Sequence, residues 1–231
     1  DPLANQAPWY RLLNCGFHLP TGAGTDAMAN FASLRGPVGL NRVYVKTPAP
    51  LEHRAFLDAL VAGRTFATNG PLLTFSLGGA EIGDHIERPA GAHRLALSAS
   101  LRSIVPVDHF ELVRNGEVVA SLPIDAGGTS GRAQQEIEVE RSGWYVVRAW
   151  NSKATHPVRD YLPFATTSPI YVTVGGEPVR SPDDAAYFIA WIDRLIEAAR
   201  KHGGYNTAEE MAAVLQTLGR ARAVFSERSA R

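Results

Sequence analysis

The residues with the clearest chemical potential lie in the segment Leu19–Ala27 (LPTGAGTDA). The segment predicts a short strand that ends in a turn made by Gly22 and Gly24 and that projects the carboxylate of Asp26. A barrel enzyme places its catalytic or metal-binding groups at such strand ends. Asp26 could therefore ligate a divalent cation or act as a general base. The structural alternative is an aspartate that caps the next helix through backbone N–H groups.

Other chemistries find less support in the sequence. A dinucleotide fingerprint needs a third glycine, whereas Met28 and the residues after it supply none. No Gly-x-Ser-x-Gly elbow is present, which disfavours a serine hydrolase. No two histidines have the spacing of a helical zinc site, so each is expected at the surface or in a cap unless the fold gathers them. The histidines are His18, His53, His85, His93, His109, His156 and His202.

Charge and composition exclude several kinds of partner. Lys plus Arg and Asp plus Glu both number 23, so the net charge is zero and neither nucleic acid nor an anionic membrane is expected as a partner. No apolar run approaches the roughly 20 residues of a membrane span. Cys15 is the single cysteine, which excludes an intrachain disulfide, and its apolar neighbours predict a buried residue.

Residues 1–70 predict an α/β section. Pro8–Cys15 and Leu51–Ala62 have helical patterns, and Asn41–Thr47 and Thr65–Thr68 are strand candidates that join the strand before Asp26. Alternation of strand and helix favours parallel pairing. Because so few strands cannot close a barrel, the chain is expected to be the end of a larger catalytic domain followed by an accessory domain.

Residues 71–176 predict an immunoglobulin-like β-sandwich, because seven short strand candidates fall in about a hundred residues. The strongest hairpin signal is Asn115-Gly116 between two apolar runs. The seven candidates are Leu72–Leu77, Arg94–Leu101, Phe110–Arg114, Val118–Ser121, Ala133–Val139, Trp144–Trp150 and Ile170–Val174. Residues 177–231 predict a helical hairpin, with one helix start at Ser181-Pro182 and a capping box over Thr207–Glu210.

Taken together, several of these segments resemble the carboxyl-terminal part of the carbaryl-hydrolase-type metallohydrolases, the CehA/McbA family. That family is related to the polymerase-and-histidinol-phosphatase (PHP) domain. The matching segments are Tyr10–Gly16 (YRLLNCG), Gly22–Ala27 (GAGTDA), Gly36–Val45 (GPVGLNRVYV), Ala62–Leu72 (AGRTFATNGPL), Ser142–Arg148 (SGWYVVR) and Thr167–Val172 (TSPIYV).

The resemblance implies an α+β multidomain protein. Its parts would be the end of a PHP-type distorted (βα)₇ barrel in residues 1–70, an immunoglobulin-like sandwich in 71–176 and a helical hairpin in 177–231. The implied activity is hydrolysis of esters, carbamates or phosphoesters by a water activated on a divalent metal (Zn, Mn or Fe). Asp26 matches the aspartate of the last barrel motif. Met28 and Thr166 stand where relatives have histidine, which removes two potential ligands.

Three readings of the whole protein stay open. In the first, Asp26 contributes to a metal site completed by the rest of its own barrel domain, the substrate is a small molecule, and the 231 residues alone are inactive and carry no stoichiometric metal. In the second, a degenerate scaffold carries a sandwich that binds a carbohydrate or a protein. In the third, the 231 residues are a self-contained interaction protein, in which residues 1–70 close their own sheet edges or exchange strands in a dimer. A homo-oligomer and either a cytoplasmic or a periplasmic location are compatible with each. A missing catalytic half would leave apolar side chains exposed at Leu12, Leu13, Val43 and Val45.

Overall fold

The computed structural model describes residues 1–28, 36–158 and 162–229. Within these residues the chain forms four helices and twelve strands. The helices are α1 (Pro2–Asn14), α2 (His53–Val61), α3 (Pro182–Lys201) and α4 (Ala208–Ser229). The strands are β1 (Arg42–Val45), β2 (Thr65–Thr68), β3 (Leu72–Leu77), β4 (Ala80–Glu81), β5 (His85–Arg88), β6 (His93–Arg102), β7 (His109–Arg114), β8 (Glu117–Ser121), β9 (Ser130–Val139), β10 (Gly143–Trp150), β11 (Phe164–Thr167) and β12 (Ile170–Val174).

The described chain divides into two compact units. The first comprises residues 1–7 and 18–178, and therefore holds all twelve strands. The second comprises residues 8–17 and the chain from Val179 onward. Its small core joins Cys15, Ala185 and Phe188 with the partly buried Phe17 and Phe225. This core packs one face of α3 and α4 together.

The first unit is built from two sheets. An eight-stranded sheet is centred on β10, which pairs with β7 along one edge and shares its other edge between β12 and β11. From there β11 leads through β2 to β1, β12 pairs in parallel with β5, and β7 pairs with β8. A four-stranded antiparallel sheet has the order β4-β3-β6-β9.

The two sheets pack face to face through alternate residues of their strands. Leu95, Leu97, Ala99 and Leu101 of β6 are buried and their neighbours point outward, the period-two pattern of a half-buried strand. β10 is buried along nearly its whole length because it lies at the centre of the larger sheet and is covered on both faces. The core cluster therefore draws side chains from both sheets, and the architecture is a β-sandwich.

The predicted piece of a PHP-type (βα)₇ barrel is wrong. β1 and β2 pair antiparallel, although α2 lies between them in the sequence, and β2 then pairs antiparallel with β11. No barrel closes among the described strands, and what was predicted to be a separate α/β section extends the larger sheet of the sandwich. The prediction failed because strands of four residues carry no signal of direction, so the strand–helix–strand order does not fix parallel pairing.

The prediction of exposed apolar side chains in the same section is wrong for Leu13, which is only 1% exposed. Leu12, Val43 and Val45 are half-buried, so they are neither covered as a core residue is nor fully exposed. The large apolar side chains that are exposed nearby are others, including Val38, Leu51 and Val61.

Candidate functional site

Asp26 lies in a segment that forms neither a strand nor a helix, contrary to the predicted strand. Hydroxyl groups hold this segment at two places. Thr21 N–H donates to Ser168 Oγ (2.8 Å) and its carbonyl accepts from Thr65 Oγ1 (2.9 Å), while Thr25 Oγ1 bonds both the N–H (2.9 Å) and the carbonyl (3.1 Å) of Asn41. The segment is therefore anchored before Gly22 by Ser168 and Thr65 and after Gly24 by Asn41.

The backbone of Asp26 is unusual. Its φ is 54°, the left-handed region that few residues other than glycine adopt, and the residue is exposed. Aspartate tolerates this conformation better than most residues, but still at a cost. The helix that Asp26 was predicted to cap as an alternative would run into residues 29–35, which lie outside the described part of the chain.

Asp26 as a metal ligand remains a prediction. Among the described residues, no group of three or more His, Cys, Asp or Glu side chains could hold a metal ion. Met28 is half exposed, and its thioether is a poor ligand for a hard cation. Metal binding by Asp26 would accordingly need ligands from outside the described residues.

The fold brings together two histidines that sequence spacing had left apart. The rings of His18 and His85 lie edge to face with centroids 5.8 Å apart, and His18 stacks on Tyr171 at 3.9 Å. His85 Nε2 is 2.7 Å from Thr173 Oγ1. Burial raises the pKa of Tyr171 far above its usual range, so this phenol stays protonated. The sequence analysis did not predict that His18 and His85 lie together, because their proximity depends on the parallel pairing of β12 with β5. β5 was not predicted as a strand.

Thr166, one of the two positions at which the family resemblance led us to expect histidine, lies in a polar cluster on the eight-stranded sheet. It is 3% exposed and pairs directly with Arg148. Arg148 Nε is 2.6 Å from Glu111 Oε2, and its Nη1 donates to Gln6 Oε1 at 3.1 Å. Trp150 Nε1 also donates to Glu111. This cluster satisfies its charges internally, which indicates a structural role for these residues.

A cleft of about 530 Å³ opens at the margin of the sandwich, where β1 and β2 lie beside β3 and β4. We call it the edge cleft. Tyr44 and Phe66 lie stacked along it with ring centroids 4.9 Å apart and planes 7° from parallel. Lys46 Nζ and Glu81 Oε2 meet at 2.5 Å, and Arg64 lines the same end. The rest of the lining is formed by Val45, Thr65, Leu73, Thr74, Phe75, Ser76, Ile82 and Ser98.

Comparison with family models, with curated proteins and with solved structures found no match to this chain. None of the described helices combines the length and the apolar character that crossing a lipid bilayer requires.

Proposed function

We propose that this chain is the carboxyl-terminal portion of a metal-dependent hydrolase acting on ester, carbamate or phosphoester bonds, and that Asp26 supplies one metal ligand. The observation that carries the proposal is the exposed, left-handed backbone of Asp26 within an anchored segment. Such conformations persist only where the surrounding structure holds them, and they cluster at functional sites. The sequence segments that resemble the carbaryl-hydrolase-type enzymes are the second support.

The chain's own contribution to such a reaction is the position of one carboxylate. The contacts of Thr21 and Thr25 hold the segment on both sides of Gly22 and Gly24, and Asp26 follows Thr25 at an exposed position. A carboxylate oxygen suits Zn, Mn or Fe in company with imidazole ligands. When bound, the cation would lower the pKa of water and polarise the scissile carbonyl or phosphoryl group. The other ligands would come from outside the described residues.

The test uses the product of the full reading frame that encodes this chain. We expect elemental analysis to find bound Zn, Mn or Fe, and we expect the protein to hydrolyse naphthyl acetate, naphthyl methylcarbamate or a nitrophenyl phosphodiester. Asp26→Asn keeps the size of the side chain but removes its charge. Loss of the ligand should lower metal affinity at least about tenfold, because the loss of a residue that only orients a metal ligand already has an effect of that size. Hydrolysis should fall in parallel.

The matched control is Asp58→Asn on α2, an exposed aspartate whose partner is Arg54 one helical turn away. This variant should keep both metal content and hydrolysis. Metal content and hydrolysis that are unchanged in Asp26→Asn would contradict the assignment of Asp26. A full-length protein without metal and without hydrolysis would contradict the enzyme itself.

A non-catalytic binding role is the second candidate, and one observation favours it. β1 is the outermost strand of the eight-stranded sheet, and no described residue pairs with its outer edge. An open edge of this kind can accept a strand from a partner protein. A metal-free, inactive full-length protein would favour this second role.

A further inference from the structure

The edge cleft exists because the two sheets of the sandwich differ in width. Opposed residues of an antiparallel pair share a face, so Phe66 lies on the same face as Thr167 and Ala165. Ala165 is fully buried in the core between the sheets. The face that carries Phe66 and Tyr44 therefore continues the core-facing side of the sheet beyond the point where the second sheet covers it.

The second sheet leaves this margin open. Its outermost strand, β4, pairs only with Ser76 and Leu77 of β3 and leaves the first part of β3 uncovered along that edge. Tyr44 consequently keeps 43% of its surface exposed, although it lies on a core-facing side. Apolar and aromatic surface of this kind, set in a concave lining with a few polar groups, is typical of small-molecule sites.

The edge cleft has more positively than negatively charged side chains in its lining. Lys46 and Arg64 are cationic, and Glu81 is the one carboxylate among the lining residues. The hydrogen bond from Lys46, with the nearby charge of Arg64, holds the pKa of Glu81 below its usual range, so the carboxylate is ionised at neutral pH. Lys46 is already paired with it. The remaining positive charge belongs to Arg64, an exposed residue immediately before β2 and two positions before Phe66.

We propose that the edge cleft binds a small organic anion with a planar aromatic body. The body packs against the aromatic pair of Tyr44 and Phe66, and the acid group lies at the end of the cleft that carries Arg64. Thr74, Ser76 and Ser98 also line the cleft. The Thr74 hydroxyl is already bonded to Ser100 Oγ at 2.6 Å, so Ser76 and Ser98 would supply hydroxyl groups to a polar substituent. This inference is independent of the proposed hydrolase, because it concerns binding and needs neither Asp26 nor a metal.

The test compares two probes of equal shape, naphthoate and its neutral amide, naphthamide. Each is titrated into the 231-residue chain by calorimetry and by amide NMR. A ligand of about a dozen heavy atoms that makes modest contacts should bind with a dissociation constant in the millimolar range or tighter. We expect naphthoate to bind about three- to fivefold more tightly than naphthamide, the gain that a partly exposed ion pair provides. The largest NMR shifts should fall on β1, β2 and β3.

Two variants separate the contributions of the charge and of the rings. Arg64→Gln should remove the preference for naphthoate and leave naphthamide binding unchanged. Tyr44→Ala should weaken the binding of both probes about three- to tenfold, because an aromatic contact is lost. The controls are Arg94→Gln, an exposed arginine outside the cleft, and Leu72→Ala, whose side chain is 42% exposed on the adjacent strand. Both controls should bind as the unchanged chain does.

Several outcomes would overturn the proposal. They are no binding of naphthoate at millimolar concentration, equal binding of acid and amide, or NMR shifts that fall away from the residues lining the edge cleft. Binding of unchanged strength to a folded Tyr44→Ala variant would do the same. If Tyr44→Ala does not fold, Arg64→Gln still decides the outcome, because that side chain is exposed and its loss should not disturb the sandwich.

Discussion

Arg148 and Glu111 face each other across β10 and β7, with the arginine Nε 2.6 Å from the glutamate Oε2. Their side chains are only 16% and 10% exposed. Trp150 and Gln6 add hydrogen bonds to the same pair, so the charges are compensated within a sheet that is largely shielded from water. Breaking such a pair costs much more than its net contribution, because one charge is left buried without a partner.

Glu111→Leu should therefore lower the free energy of unfolding by about 3 kcal/mol, since it leaves the guanidinium of Arg148 partly buried and uncompensated. The double variant Glu111→Leu/Arg148→Met should recover much of that loss, because neither charge remains. Urea unfolding measures both. The control is Asp58→Ala, which removes an exposed ion pair and should unfold close to the unchanged chain. Equal losses in the single and double variants would show that packing, and not charge, determines the effect.

The side chain of Asn69 forms hydrogen bonds with the backbone at the start of β11. Its Nδ2 donates to the Leu162 carbonyl at 2.7 Å and its Oδ1 accepts from Phe164 N–H at 2.8 Å, next to the start of β11. Asn69→Ala leaves both of these buried groups without their partner and should lower the free energy of unfolding by about 2 to 4 kcal/mol. Asn5→Ala, at an exposed position in α1, is the control and should have little effect. A loss of similar size in both variants would contradict this role.

Cys15 should be chemically inert in the folded chain. Burial, with the nearby charge of Asp184, raises its pKa from 9.0 to about 11. Between pH 9.0 and about 11 the unfolded chain has released the thiol proton, whereas the folded chain still holds it. The free energy of unfolding therefore falls as the pH rises through this range, and Cys15 does not affect it at lower pH.

At pH 9.0, alkylation of Cys15 by iodoacetamide should accordingly be at least about tenfold slower in the folded chain than in urea, since the thiolate is the reactive form. Cys15 is the only cysteine, so mass spectrometry reports on this site alone. The variant Cys15→Ala supplies the background. Equal rates with and without urea would contradict the burial of this thiol.

Local pairing was largely predictable from the sequence. The Asn115-Gly116 turn joins β7 to β8 as expected, and both residues have positive φ (50° and 92°), which explains the choice of these two residue types. The predicted start of α3 is confirmed as well, since Ser181 Oγ accepts from Asp184 N–H and Pro182 is the first helical residue. These features depend only on residues that are adjacent in the sequence, so sequence patterns are enough to predict them.

Partners distant in sequence were not predictable. β2 was predicted with its observed bounds, but its pairing with β11 was not, because β11 (Phe164–Thr167) is buried at every position and so lacks alternation. β5 was missed because Ile86 is its single apolar residue. The edge cleft could not be foreseen either, since it arises from a difference in width between two sheets whose strand order was unknown.

The last prediction concerns two neighbouring aspartates at the start of α3. Asp184 is buried and accepts from Arg11 Nη1 at 2.5 Å and from Asn14 Nδ2 at 2.9 Å, whereas Asp183 is exposed. Both carboxylates lie in the first helical turn, so both interact favourably with the helix dipole. Substituting each in turn by alanine therefore separates the dipole interaction from the contacts with α1.

Asp184→Ala should lower the free energy of unfolding of the second unit by about 2 to 3 kcal/mol, because two partly buried charge-assisted hydrogen bonds are lost. Asp183→Ala should cost only the dipole interaction, about 0.5 kcal/mol. Circular dichroism at the helical band during urea unfolding measures both variants. Equal losses would mean that Asp184 stabilises the helix through the dipole alone. We expect instead a larger loss for Asp184→Ala. If that extra loss disappears in the Arg11→Met/Asn14→Leu background, the two hydrogen bonds account for the whole difference.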